Sequence, residues 1–182
     1  FILAGAFSGI AREAGGASST ANLLLSIIPG RFAVAGLFVI GWLISMAMGT
    51  SVGTISVLAP IACKVSENGN LLLPLCVGVV VGGAMFGDNL SFISDTTIAA
   101  TKTQGVEMKD KFRTNIRVAL PAAVITFIVL IVYAILSRGA QIGEFSFNIW
   151  QALPYFLVLI MSVLGINVFI VLMTGCVLFV LA

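Results

Sequence analysis

From Phe32 to Cys63 the chain runs 32 residues without a charged side chain. Further charge-free runs occupy 14–30, 68–87, 118–137 and 145–182. A transmembrane helix needs about 20 consecutive apolar residues, so several of these runs are long enough to cross a bilayer. Charged residues make up 9% of the chain and apolar residues 60%, whereas a soluble domain carries about 25% charged residues. The sequence therefore predicts an all-α, polytopic integral membrane protein. The runs are too many for a secretory leader followed by a soluble body. The chain opens and closes inside apolar stretches, so it is expected to be a piece of a longer carrier.

Composition excludes several chemistries. There is no histidine, which removes His-ligated metal sites and the usual Ser-His or Cys-His pairs. Cys63, Cys76 and Cys176 share no metal-like or redox spacing and read as apolar filler. A net charge of +2 without a basic, aromatic-rich patch gives no reason to expect nucleic acid. No cofactor is expected. The expected partners are the lipid bilayer and a transported ion, and the sequence leaves a homodimer open.

The spans are expected at 1–11, 32–63, 71–101, 118–137, 149–164 and 168–182, in one transmembrane domain. Thr20–Ile28 is too short to cross. As one straight helix, 32–63 would measure about 48 Å, against a hydrocarbon core of about 30 Å. A break over 49–54 resolves the excess. Gly49-Thr50-Ser51-Val52-Gly53-Thr54 brings two glycines and three hydroxyls, which favour unwinding. A second break is expected over 87–96. Residues 102–117 carry Lys102, Lys109, Lys111, Arg113 and Arg117 and read as a solvated cytoplasmic loop. Counting each broken segment as one crossing then puts seven of the nine basic residues inside, with Lys64 and Arg138 outside.

The second break carries the chemistry. In Gly87-Asp88-Asn89-Leu90-Ser91-Phe92-Ile93-Ser94-Asp95-Thr96-Thr97, two acids sit where the flanks predict lipid. Carboxylates at membrane depth are costly and mark ion or substrate pathways. Irregular backbone there must line a cavity or pack against protein. A hard cation such as Na⁺ wants several oxygens. Asp88, Asn89, Ser91, Ser94, Asp95, Thr96 and Thr97 supply them, and unwound carbonyls and half-helix ends add more. Burial disfavours a charged carboxylate and a bound cation favours it. One carboxyl group then holds a proton or a metal ion in turn. The bland alternative is helix capping, which suits Ser94 or Asp95. Thr50, Ser51 and Thr54 are expected to support the site from the first break, with Gly49, Gly53 and Gly87 enabling the bends. The alternative for that segment is close packing through small residues. The same reading fits the glycines over 78–82 and 83–87. Glu13, beside Arg12, is expected at the interface. Asn22 and Asn167 are polar intrusions of unassigned role.

This pattern resembles the NhaC-type Na⁺/H⁺ antiporter family of the ion transporter superfamily. The carrying residues are Gly87-Asp88, Leu90-Ser91, Ile93 to Thr97, Gly49-Thr50-Ser51, Gly53-Thr54 and Ala59-Pro60, with Arg113-Thr114-Asn115 leading into a proline-bearing span. The likeness covers most of 1–137. It implies one half of an inverted-repeat transporter in a bacterial inner (plasma) membrane. It also implies exchange of Na⁺ for H⁺ by alternating access, with a Na⁺ site at Asp88 and Asp95. The family pattern usually has proline where this chain has Phe92.

Three other readings stay open, one of them a pore-forming channel, which single-channel currents would reveal. A Na⁺- or H⁺-coupled organic-acid or amino-acid carrier, such as a malate/lactate exchanger, would need helix N-termini or an Arg near the site, and no Arg or Lys is expected in the core. An intramembrane aspartyl protease needs two carboxylates sharing a proton. Here both acids lie on one segment, and Met85 stands where a Gly-x-Gly-Asp signature needs glycine. The chain is therefore not expected to be an enzyme.

Overall fold

The computed structural model describes residues 2–137, 146–164 and 166–181. Arg138, placed outside by charge counting, lies beyond these residues, as does Gly165. The described residues form helices and no strand. In chain order these are α1 (Ile2–Glu13), α2 (Gly16–Ile27), a 3-10 turn (Gly30–Phe32), α3 (Ala33–Met48), α4 (Ser51–Gly69), α5 (Leu73–Leu90), α6 (Asp95–Gln104), α7 (Met108–Leu136), α8 (Ile149–Val163) and α9 (Val168–Leu181). By length and composition, Gly30–Met48, Leu73–Gln104 and Met108–Leu136 can cross a membrane.

α3 and α5 form the centre and run in the same direction. Phe38 stacks on Phe86, Ser45 Oγ donates to the Ala84 carbonyl at 2.6 Å, and Ser91 Oγ donates to the Met46 carbonyl at 2.8 Å. Gly83 lies against Phe38 and Gly87 against Trp42 and Ser45, while Ser91 bonds to Met46, so backbone partners advance together along both helices, the signature of parallel packing. Membrane helices gain little from apolar burial against lipid, so close contact rests on small residues. Gly83 and Gly87 supply it here. A Cβ at Gly83 would run into the Phe38 carbonyl, and one at Gly87 would lie 2.9 Å from Ser45 Cβ.

Parallel α3 and α5 require α4 to come back between them. Its first turn touches the end of α5 through Ser51 and Asp88, and Gly69 connects within a few residues to the start of α5. α3 and α4 are therefore a helical hairpin with its tip at Gly49-Thr50. This corrects the single broken crossing expected over 32–63. A turn of two residues inside a charge-free run gives the same composition signal as an unwound bend. The break is also shorter than the expected 49–54, since Ser51 to Thr54 are already helical. Arg31 and Lys64 now lie together at the open end of the hairpin, so the expected division of basic residues does not hold.

The second break is narrower than expected, confined to Ser91–Ser94. Most of the loop expected over 102–117 is helix: α6 ends at Gln104, Gly105 turns at φ 64°, and α7 starts at Met108. Lys, Arg and Met are good helix formers, and a charged first turn continues directly into the apolar span. α7 buries Leu130 and Ala134, while Val118, Ile125, Ile128 and Val129 stay exposed. α2 packs on α8 through Ser19 Oγ donating to Gln151 Oε1 at 2.8 Å, and α1 meets α9 through Phe7 and Phe179. Residues 149–164 and 168–182, expected as two short helices, form α8 and α9.

Candidate ion site

Four helix ends converge where the hairpin tip meets the second break. α3 ends at Gly49, whose φ of 68° is left-handed and favours glycine. Its missing Cβ matters as well, since a side chain there would lie 2.7 Å from the Ile93 carbonyl. Thr50 is extended and caps α4, its Oγ1 accepting from the Gly53 amide at 3.4 Å. α5 ends at Leu90. Ser91 is extended at φ −71°, ψ 136°, and its hydroxyl both donates to Met46 and accepts from the Ile93 amide at 3.2 Å. Ser94 caps α6 by accepting from the Thr97 amide. Side-chain bonds of this kind compete with the helical ladder and make the break.

Asp88 lies in the last turn of α5. The C-terminal end of a helix carries partial negative charge and is a poor place for a carboxylate. The first turn of α4 offsets this, because Ser51 Oγ donates to Asp88 Oδ2 at 3.0 Å. The other oxygen, Oδ1, is buried with no hydrogen-bond partner among the described residues. An acceptor so placed suits a cation or a proton.

Asp95 is placed differently. It is the first residue of α6, where the helix dipole favours an acid, and its Oδ1 accepts from the Thr96 amide at 2.7 Å. It borders an open cavity of about 270 Å³ with Gly5, Ser8, Gly9, Arg12, Met48, Gly49, Thr50 and Gly53. No hydrogen bond joins it to Asp88.

The remaining expected residues divide. Ser91 and Ser94 are buried and already engaged. Thr96 faces Ser94, their hydroxyls 3.0 Å apart. Thr54 is buried and donates to the Thr50 carbonyl at 2.8 Å. Asn89 is exposed, with its side chain donating to the Met85 carbonyl. Gly53 sits against Thr50 and Ser8, and Gly87 packs on α3. Among the described residues no three acidic or cysteine side chains cluster as a metal site. A cation here would depend on hydroxyl and carbonyl oxygens.

Two cations were missed. Lys111, expected in a solvated loop, reaches both sides of the break. Its Nζ donates to the Asn89 carbonyl at 2.6 Å and to Thr97 Oγ1 at 2.8 Å. Asn115 donates to the same Asn89 carbonyl, and Phe112 stacks on Phe92 with centroids 4.6 Å apart. The spacing 111, 112, 115 is one helix face, and that was the available signal. Phe92 thus holds the break through a stack on α7. Arg12, the second cation, borders the cavity of Asp95.

The Na⁺/H⁺ antiporter family pattern matches residues 1–135. The chain belongs to that family. It is 30% identical over 148 residues to the malate-2H⁺/Na⁺-lactate antiporter of Bacillus subtilis (strain 168), covering 74% of this chain and 31% of that one. It is 33% identical over 108 residues to the Na⁺/H⁺ antiporter NhaC of Alkalihalophilus pseudofirmus (strain ATCC BAA-2126 / JCM 17055 / OF4), covering 59% and 23%. An uncharacterized Na⁺/H⁺ antiporter of Haemophilus influenzae (strain ATCC 51907 / DSM 11121 / KW20 / Rd) is 31% identical over 112 residues, covering 62% and 24%. The chain thus spans a third or less of the length of these relatives. No solved structure matches it.

Proposed function

We propose that the protein exchanges Na⁺ for H⁺ across the bacterial inner (plasma) membrane by alternating access, without a cofactor. The observation that carries this reading is Asp88: one oxygen held by Ser51, the other buried without a partner, at the meeting point of a hairpin tip and a broken helix. A proton and a Na⁺ ion compete for that oxygen, and this competition couples the two fluxes. Asp95 and Thr50 complete the path. The test is Na⁺-driven proton movement in vesicles containing the protein. Asp88→Asn should abolish it and Asp95→Asn should impair it. If both substitutions leave exchange intact, the assignment fails.

Arg12 favours a second reading, a Na⁺-coupled carrier of small organic acids. Its guanidinium borders the same cavity as Asp95 and is suited to a carboxylate. Uptake of labelled malate or lactate, lost in Arg12→Gln, would select this reading over simple exchange.

A further inference from the structure

We propose that a polar route runs along α4 from Lys64 to the break, with Arg12 as its constriction. Besides the cavity at Asp95 there is a second, of about 340 Å³, between α1, α2 and α4. Arg12 borders both. The residues of α4 and its cap that line them are Thr50 and Gly53 on one side and Ser56, Val57, Pro60, Ile61 and Lys64 on the other. These recur every three or four positions and so form one continuous helix face. The two spaces are therefore successive stretches along a single wall.

The wall carries polar groups among Val57 and Ile61, where a lipid-facing helix would be apolar throughout. Ser56 and Lys64 lie on it, and Pro60 cannot donate to the Ser56 carbonyl, which leaves that oxygen without its helical partner. Across from them, Asn22 borders the second cavity and keeps a buried Oδ1 without a partner among the described residues. Unpaired oxygens of this kind are satisfied by water or by a passing ion. Room for the route comes from α1, where Gly5 and Gly9 have nothing within 4 Å of their missing Cβ atoms.

Arg12 sets the charge that passes. Its side chain is 56% exposed, and its ion-pair partner is the neighbouring Glu13 at 4.0 Å. A cation moving toward Asp95 must pass this group, whereas an anion is drawn to it. What travels rests on the exchange reading above; the route itself does not.

Cysteine labelling tests the route without requiring transport. In the protein with Cys63, Cys76 and Cys176 replaced by Ala, Ser56→Cys and Thr50→Cys should react with membrane-impermeant thiosulfonates added at the face from which Lys64→Cys reacts. Both should react at least about tenfold faster than the buried control Leu58→Cys. Arg12→Gln should shift Thr50→Cys toward the cationic reagent over the anionic one by about tenfold, with little change at Ser56→Cys. Ser8→Cys serves as the second probe of the inner cavity if Thr50→Cys does not fold. The proposal is overturned if Ser56→Cys reacts no faster than Leu58→Cys, or reacts from the face opposite Lys64→Cys. It is also overturned, as to Arg12, if the reagent preference does not move. Labelling that persists in a protein without Na⁺/H⁺ exchange would keep the route and remove the transported ion.

Discussion

Ser51 and Asp88 join the hairpin tip to the broken helix through a single 3.0 Å hydrogen bond. Ser51→Ala would leave both oxygens of that carboxylate without a protein donor. Hydrogen bonds to charged groups contribute about 1.5–3 kcal/mol, so the apparent Na⁺ affinity should change by about tenfold or more. The Na⁺ dependence of proton movement in vesicles measures it. An unchanged half-saturating Na⁺ concentration would show that the contact is incidental to the ion.

Lys111 links α7 to both half-helices. Lys111→Met removes two charge-assisted bonds and should slow exchange by about tenfold, on the same scale of about 1.5–3 kcal/mol. Lys111→Arg keeps the charge and the donors, and should restore most of the rate. Equal loss in both variants would point to packing at that position and against a charged link.

Phe92 tolerates proline on backbone grounds. The residue before a proline is pushed toward extended angles, and Ser91 already has φ −71° and ψ 136°. Phe92→Pro should keep exchange within about threefold, since a compatible proline shifts stability by only about 0.4–1 kcal/mol. Phe112→Ala, which removes the stacking partner, should lower the thermal midpoint in detergent. An aromatic pair is worth about 0.5–1.5 kcal/mol beyond its area.

Glycine spacing on α5 gives a stability test. Gly83→Ala drives a methyl into the Phe38 carbonyl, while Gly78 has nothing within 4 Å. Gly83→Ala should cost about 1–3 kcal/mol, as overpacking does. Gly78→Ala should be neutral or slightly stabilising. Thermal melts of the two variants in one detergent compare them directly.

The break at Ser91–Ser94 was legible because Asn, Ser and Asp announce caps and turns by composition alone. The hairpin was not. Gly49-Thr50 turns the chain back, yet the apolar run continues on both sides and nothing local marks a reversal. Only the parallel contacts of α3 with α5 reveal it. Asp88 was found because a carboxylate stands out against lipid. Lys111 was missed for the converse reason, since one basic residue among five reads as solvated. Its place at the break shows only in a contact made 14 residues away with Thr97.

The glycine contacts between α3 and α5 have a kinetic consequence. Helices seated backbone to backbone cannot slide past one another without first separating, so the tip and the break travel as one block. In the exchange proposed above, any shear that reopens the carboxylate to the other side of the membrane would then fall elsewhere. Gly5 and Gly9 leave open space on the side of α1 that borders the start of α4, so that seam is the expected place for it.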